Sequence, residues 1–244
     1  MGLQLLVGLS LLCLLNAADP YVSRPTCGST GRACIKHEAS CTNGQCVCNK
    51  PAWGRGDFRC YDEKSVVCEL KGDPALISYS KEVENFPYPC RYLATHVKTD
   101  LKDKNNDVIG KCEAKVHGFN GKADGKHIVL GFDVSIKIQY DSPPTTVAST
   151  LRHRATTLNN INTILKRGKN GVFDDSYTSN DDVTYRDNSN GVNVFFTWDN
   201  KNNRFIYKAE GCGVHVIHTP FDVSLKLQQK QVPGLSVEVS KNNG

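Results

Sequence analysis

Apolar and polar residues alternate over much of the second half of the chain. Residues 132–139 alternate strictly, as a strand with one buried face must, and residues 221–228 repeat them almost letter for letter. Asn190-Gly191 and residues 199–203 have the composition of hairpin turns. The alternation therefore predicts a mainly β protein whose larger domain is antiparallel and sandwich-like.

One segment departs from this alternation. After Pro143-Pro144, apolar residues recur at helical spacing through residues 145–167. The spacing favours a helix, whereas the threonine and asparagine content of the segment argues against one. Helix and strand therefore both remain open for residues 145–167.

The first residues have the pattern of a secretory signal. Residues 3–15 are almost wholly apolar and are followed by small residues, so residues 1–18 are predicted to be a signal peptide cut near Ala17 or Ala18. Of the 11 cysteines, Cys13 would then leave with the signal. An even number remains for disulfides, as expected of a secreted, extracellular protein.

The remaining cysteines are unevenly spread and indicate the domain organisation. Six lie between Cys27 and Cys60, a stretch too short to bury an apolar core, and bridges must stabilise it. The later stretch is long enough to bury its own core. The predicted divisions are an N-terminal segment 19–26, a small module 27–60, a linker 61–67, a β domain 68–239 and a tail 240–244.

The spacing of the first six cysteines is C-x6-C-x6-C-x4-C-x-C-x11-C, with Trp53-Gly54 between the last two. This pattern resembles an EGF-like domain. A zinc site is the weaker interpretation, because its thiols would have to stay reduced after secretion. The segment before Cys27 lacks the acidic residues of calcium-binding EGF modules, so no calcium is expected here. The resemblance implies the bridges Cys27–Cys41, Cys34–Cys46 and Cys48–Cys60.

The last loop of this module contains Arg55-Gly56-Asp57. The tripeptide resembles the integrin-recognition motif, in which a receptor metal binds the aspartate and an acidic pocket binds the guanidinium. A loop closed by a disulfide loses less entropy on binding, which favours the hypothesis. The alternative is that Arg55 and Asp57 are solvated turn residues.

The second domain opens with Cys68, a Gly72-Asp73-Pro74 turn and the sequence Cys90-Arg91-Tyr92. This opening resembles a von Willebrand factor type D domain, which implies a β-rich domain of the extracellular-matrix type. The late cysteines permit three pairings, and all four are expected to be bridged, because a free thiol is a liability outside the cell. They are Cys68, Cys90, Cys112 and Cys212.

Catalytic and metal-binding motifs are absent from the sequence. It contains no Gly-x-Ser-x-Gly, phosphate-binding loop or His-Glu-x-x-His. His215 and His218 would point to opposite faces of a strand. Asp181, Asp182 and Asp187 lack the spacing of a calcium loop and are better interpreted as turn residues. We therefore expect no enzymatic activity, no cofactor and no metal.

Charge and hydropathy limit the classes of partner that the protein is expected to bind. The net charge of +5 arises from interleaved residues, which does not indicate nucleic-acid binding, and no basic run predicts binding to sulfated sugars. No apolar stretch is long enough for a transmembrane helix. The sequence thus favours a secreted, non-enzymatic matrix or adhesion protein, a disulfide-closed monomer whose partners are matrix components or an integrin-type receptor. The alternatives are an EGF-like signalling ligand for a receptor kinase, a shell or mineral matrix component, and a secreted enzyme or inhibitor.

Overall fold

Antiparallel strands make up nearly all of the regular structure. The structure is a computed structural model that describes residues 26–29, 32–61, 65–71, 75–85, 89–103, 105–123, 125–157, 160–169, 172–179, 185–187, 194–199, 201–221 and 234–240. The prediction of a mainly β protein is confirmed. Within these ranges, no helix is long and apolar enough to cross a lipid bilayer. The predicted signal peptide and the tail beyond Ser240 lie outside them.

The small module, residues 26–61, contains three short antiparallel ribbons. Each ribbon pairs two consecutive strands, as expected where bridges rather than a core hold the chain. The strands are β1 (Thr26–Cys27), β2 (Arg32–Ala33), β3 (Ala39–Thr42), β4 (Gln45–Cys48), β5 (Trp53–Arg55) and β6 (Arg59–Tyr61).

The rest of the chain forms two larger sheets, which together are called the sandwich. The first is a meander of six long strands in sequence order. Its strands are β10 (Arg91–Lys102), β11 (Val108–Ala123), β12 (Lys126–Tyr140), β13 (Thr145–Thr157), β14 (Asn160–Lys169) and β15 (Val172–Ser179).

The second sheet has eight strands in the order β16-β17-β18-β19-β20-β7-β8-β9. A 3-10 turn at Glu210–Cys212 connects β18 to β19. The strands are β7 (Ser65–Lys71), β8 (Ala75–Ile77), β9 (Val83–Asn85), β16 (Tyr185–Asp187), β17 (Val194–Asp199), β18 (Arg204–Ala209), β19 (Val214–Thr219) and β20 (Gly234–Ser240). Since β7 begins at Ser65, the joint after Tyr61 is shorter than the predicted linker 61–67.

One apolar core lies between the two sheets and draws residues from both. Phe132 of the six-stranded sheet and Phe205 of the eight-stranded sheet are fully buried. The ring of His153 lies between them, with its centroid 5.3 Å from Phe132 and 4.2 Å from Phe205. Inward-facing side chains of stacked sheets interdigitate in this way, so the sandwich-like arrangement is also confirmed.

The described residues of this segment, 145–157 and 160–167, are strands, and the helical spacing was misleading. Most of the segment forms the hairpin of β13 and β14, in which Leu151 pairs with Leu165. Val147, Leu151 and Ala155 are four residues apart because the intervening inward positions hold Ser149 and His153, both buried. Buried polar residues thus concealed a period of two and imitated a helix.

Candidate functional site

The tripeptide Arg55-Gly56-Asp57 lies where β5 turns into β6. The Gly56 N–H donates to the Cys46 carbonyl at 3.2 Å, and the Gly56 carbonyl accepts from the Ile35 N–H at 2.7 Å. A Cβ on Gly56 would lie 2.6 Å from the Cβ of Ala39, so only glycine fits this close approach. The backbone of the tripeptide is therefore packed into the module.

Asp57 is buried, with only 9% of its surface exposed. Both sequence interpretations, an integrin ligand and a solvated turn, required an exposed carboxylate at this position. The side chain of Arg55 lies outside the described part of the chain. In this arrangement, Asp57 is not presented to a receptor.

The small module contacts the eight-stranded sheet through alternating charges. Arg204 Nη2 of the sandwich lies 2.6 Å from Glu38 Oε1 of the module, and Glu38 Oε2 lies 3.1 Å from Arg59 Nη1. Arg59 Nη2 lies 3.6 Å from Glu238 Oε2 of β20. Both arginines are more than nine-tenths buried. The module therefore packs directly on the sandwich.

His215 and Glu238 complete this junction. His215 Nδ1 lies 3.3 Å from Glu238 Oε2 and 3.5 Å from Arg59 Nη2. Burial lowers the pKa of His215 to about 4, although Glu238 opposes the shift. Burial alone would raise the pKa of Glu238, but hydrogen bonds from His215 and Ser65 lower it to about 2. The two guanidinium groups of the junction thus contact three carboxylates, because Arg204 Nε also lies 2.9 Å from Asp199 Oδ2.

Four disulfides are present among the described residues. Cys27–Cys41, Cys34–Cys46 and Cys48–Cys60 are the pairs that the EGF-like resemblance implied. The sulfur atoms of Cys27, Cys34 and Cys46 lie within 4.8 Å of one another, but bridged sulfurs are not thiolates and do not form a metal site. The fourth bridge, Cys112–Cys212, joins β11 of one sheet to the turn before β19 of the other.

The expectation that all late cysteines are bridged is wrong, because Cys68 and Cys90 are free thiols. Cys68 points into the core from β7 and is 1% exposed. Burial raises the pKa of its thiol to about 12, so it packs as a small apolar side chain. Cys90 precedes β10, with its sulfur 4.0 Å from Asn120 Nδ2. Burial thus protects the Cys68 thiol from the oxidation that the expectation assumed, whereas Cys90 is only partly buried.

His215 and His218 lie on opposite faces of β19, as predicted. His218 points into the core, where its ring lies 5.5 Å from that of His153. His153 Nδ1 lies 2.9 Å from Thr163 Oγ1, a distance typical of a general base and a nucleophile. Both residues are buried between the sheets, so no substrate reaches this pair.

A cluster of three arginines around Asp133 lies on the solvent-facing side of the six-stranded sheet. Asp133 lies 2.8 Å from Arg154 Nη1, 2.9 Å from Arg91 Nε and 3.7 Å from Arg152 Nε. Partial burial alone would raise the pKa of Asp133, but Arg154 and Arg91 lower it overall. A depression of about 380 Å³ beside the cluster is lined by His117, Asp133 and Lys166, among others.

Sequence reasoning did not identify this cluster. The strict alternation of residues 132–139 did place Asp133 on a polar face, but the partners come from three other positions along the chain. Arg91 belongs to β10, while Arg152 and Arg154 belong to β13. The available signal was Arg152-His153-Arg154, in which two arginines two residues apart share one face of a strand.

The acidic residues weighed as a calcium loop are Asp181, Asp182 and Asp187. Asp181 and Asp182 lie outside the described residues, and Asp187 ends β16.

No protein-family model matches the chain, and no curated protein matches it.

Proposed function

We propose that this protein is a secreted, non-enzymatic component of the extracellular matrix that acts by binding and adhesion. The observation that carries the proposal is the set of disulfides, three within the small module and one between the sheets. Such bridges form and persist in oxidising compartments, chiefly outside the cell. The ion pairs at the junction hold the module on the sandwich.

The proposal includes the two domain identities. The order of the bridges in residues 27–60 supports an EGF-like module. The first cysteine pairs with the third, the second with the fourth, and the fifth with the sixth. For residues 68–239, the support is the antiparallel sandwich and its opening cysteine strand, β7, in keeping with a diverged von Willebrand factor type D-like domain.

Integrin binding through Arg55, Gly56 and Asp57 is a narrower proposal, and it requires a local change in the structure. The Asp57 carboxylate has to leave its buried position before a receptor metal can reach it. The backbone hydrogen bonds of Gly56 to Ile35 and Cys46 oppose that opening. We therefore expect adhesion to depend on other surfaces of the molecule.

The experiment is cell attachment to surfaces coated with the full chain after its expression in cultured animal cells. The proposal requires the protein to reach the medium or the deposited matrix and to support attachment. Asp57→Glu is compared with Asp107→Glu, which changes an exposed carboxylate in the loop before β11. We expect equal attachment to both variants, with and without divalent cations.

Other results have definite meanings. Cation-dependent attachment that Asp57→Glu alone abolishes would support the integrin contact and require the loop to open. A chain that stays inside the cell would overturn the proposed function. Phosphorylation of a receptor kinase by the soluble protein, without attachment to the coated protein, would favour a signalling ligand instead.

A further inference from the structure

We propose that the outer face of the six-stranded sheet binds a sulfated polysaccharide chain. The inference rests on the proposed extracellular function and names a partner class for it. The strand register places nine lysine and arginine side chains on this side of β10 to β14, together with three carboxylates. We call this surface the basic face. Its cations are Arg91, Lys98, Lys102, Lys111, Lys115, Lys137, Arg152, Arg154 and Lys166, and its carboxylates are Asp100, Glu113 and Asp133.

The basic face carries an unusual share of the molecule's charge. Nine cations against three carboxylates leave a surplus slightly larger than the net charge of the whole chain, +5. The charges of the rest of the sequence therefore nearly cancel. Because these residues come from five strands, no basic run appears in the sequence, and the sheet alone brings them together.

The carboxylates on this face do not neutralise it. Asp133 is shared by three guanidinium groups, and one negative charge cannot balance them. Glu113 already binds Lys115 at 3.0 Å and His96 at 2.8 Å. Hydrogen bonds from these two residues lower the pKa of Glu113 to about 2, so it is ionised and engaged. Lys98, Lys111, Lys137 and Lys166 are exposed and form no ion pair with other described residues.

The spacing of these cations suits a linear polyanion. Neighbouring strands lie about 4.8 Å apart, and side chains on one face of a strand recur about every 6.7 Å. A chain with anionic groups on successive sugars can therefore meet cations repeatedly along the face. The guanidinium groups of Arg91 and Arg152 are half or more exposed and can bind the oxygens of a sulfate as a fork.

The depression beside Asp133 provides room for one sugar ring. Its volume of about 380 Å³ lies in the range of small-ligand sites. Arg91, Arg152 and Lys166 line it together with the hydroxyl-bearing Ser135 and Thr150. Cations for a sulfate and hydroxyls for a sugar are thus adjacent.

The same face is poorly suited to single-stranded nucleic acid. Such ligands stack their bases on exposed aromatic rings. On the basic face, the Arg154 guanidinium covers the ring of Phe119 at 4.3 Å from the centroid. The other aromatic side chains described there are the small imidazoles of His96 and His117, and His96 is engaged by Glu113. The proposed extracellular location, which the disulfides support, also favours a sulfated polysaccharide over a nucleic acid as the partner.

The test measures binding of the secreted full chain to a heparin oligosaccharide over a range of salt concentrations. The variant Arg152→Gln/Lys166→Gln removes two exposed cations from the edge of the depression. Its matched control, Lys36→Gln/Lys201→Gln, removes two exposed cations from the small module and the β17–β18 turn. Both variants are first compared with the wild type by thermal unfolding.

We expect the basic-face variant to bind heparin at least about tenfold more weakly than the control, which should match the wild type. The slope of log affinity against log salt should also fall by about two. Desulfated heparin should bind weakly to all three proteins.

Three results would overturn the inference. They are equal weakening by both variants, equal binding of desulfated heparin, and tighter binding of an oligothymidylate of the same charge. Failure of the proposed function is distinguishable from these results. A chain retained inside cells whose basic-face variant alone loses heparin affinity would refute the extracellular role and leave the ligand assignment standing.

Discussion

Arg204 Nη2 of the sandwich lies 2.6 Å from Glu38 Oε1 of the small module. Glu38 also binds Arg59, so one carboxylate separates two guanidinium groups that are both more than nine-tenths buried. Without that negative charge, the two buried cations would face each other. The packing of the module on the sandwich therefore depends on Glu38.

Glu38→Gln should destabilise the protein. It preserves the size of the side chain but removes one of the two carboxylates that contact each guanidinium group, since Arg204 keeps Asp199 and Arg59 keeps Glu238. Because Glu38 is 30% exposed and both arginines keep a partner, we expect a loss of roughly 2 kcal/mol, as for lost hydrogen bonds between charged groups. Urea unfolding at neutral pH, followed by tryptophan fluorescence, measures it. Glu84→Gln, at an exposed position in β9, should change the stability by less than about 0.5 kcal/mol. Equal effects of the two substitutions would contradict the role of Glu38.

The two free thiols should differ in reactivity. Cys68 is buried and its thiol has a pKa of about 12, so little thiolate exists at pH 8, whereas Cys90 is partly exposed. An alkylating reagent should therefore modify Cys90 in the native protein and both residues only after unfolding, as mass spectrometry would show. Cys90→Ser should abolish the native modification. Absence of labelling in the native and the unfolded protein alike would mean that these cysteines are bridged.

The fold was predictable from the sequence where a strand has one apolar and one polar face. The strand expected at 132–139 lies within β12, and the turn expected at 199–203 joins β17 to β18. The prediction was ambiguous where buried positions are polar. His153 and Ser149 occupy core positions of β13, and their chemistry gives no sign of burial.

The candidate site was less predictable, for a physical reason. A tripeptide such as Arg55-Gly56-Asp57 is visible in sequence, but its exposure depends on what packs against Gly56. Conversely, the three arginines at Asp133 are separated along the chain and become neighbours only through the register of β10 to β13. A short stretch of sequence shows neither whether its side chains are exposed nor which distant residues become their neighbours.

The buried His153 and His218 and the partly buried His215 should make the stability depend on pH. His153 and His218 lie in the core near Arg154, which further disfavours their protonation, and His215 lies beside Arg59, Glu238 and Lys208. Burial lowers the pKa of His215 and His218 to about 4, and it lowers the pKa of His153 well below its usual value. The native state therefore keeps all three neutral under mildly acidic conditions.

The free energy of unfolding should therefore fall as the pH drops below about 6.5, because the unfolded chain binds protons that the native histidines do not. Each histidine contributes a slope of roughly 1.4 kcal/mol per pH unit down to its native pKa. The paired carboxylates Glu238 and Asp133 lose their contribution only at lower pH, near the unfolded carboxyl pKa values, so measurements between pH 7.5 and 5 isolate the histidines. Urea unfolding across this range gives the change in the free energy of unfolding per pH unit. In His218→Leu this slope should be smaller than in the wild type by roughly 1.4 kcal/mol per pH unit, the contribution of one histidine. A wild-type stability that stays constant between pH 7.5 and 5 would refute the assignment of these histidines as buried and neutral.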